Sequence, residues 1–267
     1  WTIPGNRAMA FSKALSYGLY QVGDEKFILS DDLAERAMNA AEITDFQRLR
    51  DVEPEGLICA HPFAGQGYDY DVPILAGDFV TAETGTGLVH IAPGHGQDDF
   101  ELGLKHQIEV PFTVDEAGVY FDHVPIFAGK KVLDENGKNG DANGAVITAL
   151  IEANALFAKG KLRHQYPHSW RSKAPLIFRN TPQWFVSMEH DNLRDKALKA
   201  IDEVNWFPKA GRNRIYAMIE NRPDWVLSRQ RAWGVPLTVF IHQQSGEILR
   251  DESVNQRIVE AVKAQGA

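Results

Sequence analysis

A chain of 267 residues has room for one large domain or two modest ones and can bury roughly 70–75% of its unfolded surface. With 44% hydrophobic, 10% aromatic and 24% charged residues and 13 prolines, the composition excludes disorder, collagen and coiled coil, and no apolar run approaches the ~20 residues that span a bilayer. The formal charge of −8 is uneven: residues 1–159 carry 11 basic against 25 acidic side chains, 160–231 carry 14 against 7, and 232–267 carry 3 against 4, so the middle stretch suits either a nucleic-acid backbone or an acidic neighbouring domain.

In chain order, the opening Trp1-Thr2-Ile3-Pro4 lacks the layout of a signal peptide, and a single cysteine, Cys59, fits a reducing cytosol. Strands are predicted at Phe27-Ile28-Leu29, Phe79-Val80, Leu88 to Ile91 and Val119-Tyr120-Phe121. A helix is predicted from Asp31 to Ala41 with Ser30 or Asp31 as cap, and another starts near Asp98. From Asn143 onward Val146, Ile147, Leu150, Ile151 and Leu156 recur at helical spacing, capped by Asp141 or Asn143 and closed at Lys159-Gly160. After Gly160 the texture turns to Trp, Arg and Pro, so a boundary is placed there. Helices are then predicted from Asn192 to about Val204 and from Gly211 to Glu220, and a strand from Leu237 to Ile241. The class is α+β.

The densest chemistry lies in Gly85-Thr86-Gly87-Leu88-Val89-His90-Ile91-Ala92-Pro93-Gly94-His95-Gly96-Gln97-Asp98-Asp99. A strand delivers His90 to a Gly/Pro loop, and a helix start there supplies free N–H groups and a partial positive charge. Pro93 breaks any helix between His90 and His95, which removes the i, i+4 ligand geometry of helical zinc sites. No serine sits in a Gly-x-Ser-x-Gly elbow. What remains is a site that binds an ammonium through a carboxylate and orients water at an ester without a protein nucleophile. The residues alone name no substrate.

The run Gly85 to Gly96, with Asp99 nine residues after His90, resembles the editing motif of isoleucyl-tRNA synthetases, which are class I enzymes. Trp1-Thr2-Ile3-Pro4-Gly5-Asn6-Arg7 resembles that family's first editing strand, and Thr181 to Phe185 and Trp225 to Pro236 resemble its return toward the aminoacylation domain. Valyl and leucyl relatives carry Pro-Ala-His-Asp where Pro93-Gly94-His95-Gly96 stands here, and no histidine at the position of His90. The resemblance implies a strand-rich, β-barrel-like editing domain (connective peptide 1) with surrounding helices over 1–160. A mixed helical and strand return segment over 161–267 would lead to a class I nucleotide-binding domain.

By the same resemblance the task is hydrolysis of valine mischarged onto tRNA(Ile), in a parent enzyme that ligates isoleucine to that tRNA using ATP and Mg. The His-Ile-Gly-His and Lys-Met-Ser-Lys-Ser motifs that bind ATP in the family do not occur in these residues, so no cofactor is expected here. Asp99 would pair with the α-ammonium, His90 would wall off the larger isoleucine and place water, and Asn6 would hold the terminal adenosine or the carbonyl. Trp1, Thr2, Gly85, Thr86, Gly87, Gly94 and His95 would line the substrate, with backbone N–H groups facing the oxyanion. Arg179, Arg212, Arg214, Arg229 and Arg231 are candidates for the tRNA backbone, and Trp233 for the isoleucine pocket of the parent. The family carries threonines just before the equivalent of Trp1, so its editing pocket also draws on that strand. Ser169 and Ser172 stand where some relatives have zinc-binding cysteines, so no metal is expected. A cytoplasmic monomer without membrane contact follows. Two rivals remain: a non-catalytic tRNA-binding module built on the basic stretch, and a metal-dependent hydrolase using His90, His95 and Asp98.

Overall fold

A computed structural model describes residues 1–161, 165–229, 236–243 and 245–266. The chain divides into two compact units, Trp1–Thr181 and Pro182–Ala267. The first unit is α+β, with strands β1 (Ala8–Phe11), β2 (Tyr17–Val22), β3 (Glu25–Ser30), β4 (Gln47–Asp51), β5 (Ile58–Ala60), β6 (Asp71–Ala76) and β7 (Leu88–Ile91). Its helices are α1 (Ala34–Ala40), α2 (Gln97–Lys105) and α3 (Ala142–Glu152). The strands form two open sheets, β5-β6-β1-β7 and β3-β2-β4, so the barrel-like closure expected from the resemblance is not formed by the described residues. None of the described helices is long and apolar enough to cross a membrane.

The site rests on the four-stranded sheet. β1 pairs in parallel with β6 and antiparallel with β7, in a register that sets Met9 opposite His90 and Ala8 opposite Ile91. Period-two alternation sends Ala8, Ala10 and Ile91 to one face, where they pack with Val80 and with Leu102 of α2. Small alanines there let the helix approach closely. Phe11 and Ile74, with Met9 and Leu88 beside them, pack with Tyr17 on the other face. A separate aromatic core of Phe63, Tyr68, Tyr120 and Phe127 lies under α3 and receives Trp1 and Ile3.

Several expectations need correction, two of them because a carboxylate found a better partner than a helix end. Asp31 does not cap α1; its carboxylate accepts from Tyr20 Oη at 2.7 Å and from Arg48 at 2.8–2.9 Å, and the Arg48 contact holds its pKa below the usual range. Asp141 precedes α3 without capping it, because its carboxylate accepts from the Lys131 N–H at 2.7 Å and pairs with Lys130. That helix ends at Glu152 rather than near Lys159: Asn154 turns left-handed at φ 50°, and Phe157 packs on Phe27 at 4.8 Å. Phe79-Val80 is loop, and Val119 to Phe121 makes only isolated bridges.

The second unit holds β8 (Phe185–Val186) paired with β9 (Trp225–Val226), and helices α4 (Leu193–Glu203), α5 (Ala210–Glu220) and α6 (Glu252–Gln265). The first two helices match expectation. Leu237 to Ile241 is not a strand, since among the described residues its only pairing is an isolated bridge from Ile241 to Ile248, and a strand without a partner leaves its backbone unsatisfied. α6 was not foreseen, although Asp251 caps it through Ser253 and Val254 N–H and Gly266 ends it.

Gly87 supplies a stability test. At φ 80° an alanine Cβ would lie 2.4 Å from Ser30 Cβ, whereas Gly85, at φ 78°, faces open space. Left-handed strain alone costs about 1–2 kcal/mol and overpacking adds about 1–3. Denaturant unfolding of Gly87→Ala should therefore show a loss clearly larger than that of Gly85→Ala; equal losses would mean that the turn does not pack against β3.

Candidate active site

One 3-10 turn, Ile3–Gly5, leads into β1 with Thr2 before it and Asn6 after it. Pro4 presets its φ, and the Arg7 N–H donates to Ile91 O at 2.8 Å, which pins the turn beside the end of β7. Thr2 Oγ1 lies 2.9 Å from His90 Nε2. The second ring nitrogen, Nδ1, is buried with no partner among the described residues, and so is Asn6 Oδ1. Burial above all pushes the His90 pKa down to about 4. The ring is therefore neutral at pH 7.

His95 is held differently. Phe178 O can only accept, so His95 Nδ1 carries the proton and donates to it at 2.9 Å, and Nε2 accepts from the Thr113 hydroxyl at 2.5 Å. Its ring meets Trp1 edge-on at 4.6 Å. Burial lowers its pKa against the opposing effect of the Phe178 bond. Both nitrogens are spent on the protein, so the structure makes His95 a strut between the loop and residues 113 and 178.

Asp99 sits in the first turn of α2. That helix covers the Ile91 face of the sheet, whereas His90, one residue along β7, points to the opposite face. The Asp99 carboxylate reaches the end of the strand, where Oδ2 accepts from the Ala92 N–H at 2.7 Å. Ala92 is two residues from His90, about 7 Å at strand rise, and the two side chains share no hydrogen bond. Among the described residues no cation pairs with Asp99. Burial raises its pKa, with the Ala92 bond opposing and Asp98 reinforcing. Trp1 is anchored by its nitrogen to Asn143 Oδ1 at 2.9 Å and by its carbonyl to Tyr120 Oη.

Other expected site residues are placed apart. Gly85, Thr86 and Gly87 lie at the far end of β7, with Thr86 O accepting from Ser30 N–H and Gly87 O from Tyr17 Oη. The N–H of His95 donates to Ala92 O, and those of Gly94 and Gly96 have no protein acceptor among the described residues. Of the arginines, Arg212 pairs with Asp202 and lies over Tyr216, Arg229 donates to the carbonyls of Val226 and Ser228, Arg214 is exposed, and Arg179 is half-buried. Arg231 and Trp233 lie outside the described residues. No group of three His, Cys, Asp or Glu side chains among the described residues converges as metal ligands would, and with Asp98 exposed and His95 engaged, the His90, His95 and Asp98 set is not assembled. The reading of the sequence missed Thr113, His61, Tyr70 and Arg7, because nothing in their local pattern marks them; only contacts over 18 to 64 residues do.

Two stability predictions follow from these environments. A histidine whose folded pKa is depressed contributes stability that is present above about 6.5 and lost as pH falls toward the folded value. Thermal melts should drop between pH 6.5 and 4 more steeply for the unaltered chain than for His90→Gln; parallel profiles would mean that His90 is solvated. A carboxylate with a raised pKa opposes folding once ionised, whereas an amide in its place still accepts from Ala92. Asp99→Asn should melt no lower than the parent sequence at pH 7, and a clear loss would make the charge structural.

The model of tRNA synthetases class I (I, L, M and V) matches residues 9–267. The isoleucine–tRNA ligase of Bradyrhizobium diazoefficiens is 49% identical across 100% of this chain and 30% of its own length, and that of Mesorhizobium japonicum is 50% identical over the same shares. This chain thus spans about 30% of the length of those relatives. A solved structure described as "The crystal structure of GlLeuRS-CP1" superposes with a TM-score of 0.41 and 16% identity, covering 58% of this chain and 77% of that one. With the family model matching nearly every residue, the chain belongs to the class I tRNA synthetases (I, L, M and V).

Proposed function

We propose that this chain is the editing module of an isoleucyl-tRNA synthetase, hydrolysing valine mis-esterified to tRNA(Ile) within an enzyme that ligates isoleucine to that tRNA using ATP and Mg. Residues 1–160 form the editing domain on this reading, and 161–267 are the return segment toward the synthetic core. The identity to isoleucine–tRNA ligases supports the amino acid assigned. The observation that carries the chemistry is a half-buried carboxylate, Asp99, held by a backbone N–H and facing no cation among the described residues, about two strand residues from a neutral, half-buried imidazole.

An α-ammonium supplies the charge that Asp99 lacks, and a charge-assisted bond there is stronger than a neutral one. A protonated His90 would repel that ammonium, and burial keeps it neutral. With Nε2–H donating to Thr2, His90 Nδ1 is a free acceptor that orients the attacking water; in the other tautomer Nδ1–H donates to the ester. Water adds to the ester carbonyl and the ribose hydroxyl leaves with a proton. The N–H groups of Gly94 and Gly96 face the developing oxyanion, a role that Gly85 to Gly87 are too far along β7 to share. Asn6 Oδ1 accepts from the terminal ribose.

A second site is needed because one methylene is worth only about 1–3 kcal/mol in an apolar pocket, a figure general to such enzymes and not measured on this chain. In the full-length enzyme, Asp99→Ala should lower deacylation of valyl-tRNA(Ile) about 100-fold or more while leaving isoleucine activation intact; unchanged deacylation would reject the assignment. His90→Ala should open the site to isoleucyl-tRNA(Ile), and unaltered discrimination would remove its steric role.

A further inference from the structure

The sheet end and the Thr2–Asn6 turn are gripped by a third imidazole with no part in the chemistry above. His61 is 2% exposed. Its Nδ1 accepts from the Phe63 N–H at 3.1 Å, and a backbone N–H can only donate, so the ring proton must sit on Nε2. Nε2–H then donates to Ile3 O at 3.0 Å. Ile3 O is also the acceptor of the Asn6 N–H at 3.0 Å, the bond that closes the 3-10 turn. One carbonyl therefore carries both the turn and its anchor.

The surroundings leave the ring no alternative position. It stacks on Tyr68 at 4.5 Å and 11°, and Tyr68 Oη donates to Pro125 O. Tyr70, 5.5 Å away, donates from its hydroxyl to Asn6 O at 3.0 Å, and Arg7 Nη1 donates to that carbonyl and to the Tyr70 oxygen. From the other side Gly5 abuts His95, where an added Cβ would come within 2.9 Å of the ring. The turn is thus clamped at Ile3 O and Asn6 O, and the residues just outside those clamps are Thr2, bonded to His90, and the Asn6 amide.

We propose that His61 is a positioning residue for aminoacyl ester hydrolysis: its neutral Nε2–H form sets the turn so that Thr2 meets His90 and the Asn6 amide faces the substrate. The proposal rests on the editing function above. Burial also holds the His61 pKa below the ordinary histidine range, consistent with a ring that stays uncharged at its post.

The test compares His61→Phe, which keeps the stack but loses both bonds, with His61→Gln, whose amide restores a donor toward Ile3. In the full-length enzyme His61→Phe should lower kcat for valyl-tRNA(Ile) deacylation on the order of ten- to a hundred-fold, the scale of a small misplacement of reacting groups. KM and isoleucine activation should be unchanged, and His61→Gln should recover most of the loss. An unchanged kcat in a folded His61→Phe enzyme, or no recovery by the glutamine, overturns the proposal. Should the phenylalanine variant fail to fold, long-range nitrogen–proton spectra of the unaltered chain decide: a neutral His61 with Nε2–H at pH 7 supports it, and a charged ring or the Nδ1–H form overturns it. Absence of deacylation in the unaltered full-length enzyme would instead defeat the editing function itself, so the two failures are separable.

Discussion

Three imidazoles, buried His61 and half-buried His90 and His95, surround one turn of backbone, and their shared environment disfavours charge on each of them. Each is pushed toward the neutral form first by loss of water, and His90 is further disfavoured as a cation by its two histidine neighbours. Neutrality divides the rings by their bonds. His61 and His95 each have one donor and one acceptor nitrogen, and both are satisfied within the chain. His90 has one nitrogen satisfied and one left over. A buried polar atom without a partner is costly, and an orphan of this kind is where a ligand or water gains most by arriving.

The sheet sets the geometry of what can reach that orphan. Alternation along β7 puts His90 on one face, and α2 with Leu102 on the other, so the carboxylate reaches only the strand end, at the Ala92 N–H, two residues from His90. The Ala92 N–H that holds Asp99 is a single bond, and it is also what keeps the carboxylate from pointing into solvent. The charge on Asp99 opposes folding while supplying an anion with no cation partner among the described residues, a cost of the kind that functional groups impose on stability.

The basic stretch that dominates residues 160–231 is quieter in three dimensions than its charge suggests. Arg194 donates to the carbonyls of Ile219 and Glu220 at the end of α5 and pairs with Glu189; Arg212 is matched by Asp202; Arg229 caps nearby carbonyls. Arg194 and Arg229 thus close a helix end and a turn inside the second unit, where cations are favourable against C-terminal carbonyls. Among the described residues, Arg214 is the exposed arginine of the expected set that makes no hydrogen bond or ion pair.

Local pattern determined a good deal by itself. The strand before His90, the helix start beside Asp99, the amphipathic run after Asn143 and the paired helices of the second unit all follow from the spacing of apolar residues, because that signal acts between residues a few positions apart. The tertiary structure alone decided which polar groups those elements spend on one another. Asp31 and Asp141 abandon their helix ends for Arg48 and for Lys130 and Lys131, His95 becomes a strut, and Gly87 serves the packing against Ser30 of β3. His61 was invisible beforehand for the same reason: its meaning lies in a carbonyl 58 residues away, and no one-dimensional period encodes a partner at that range.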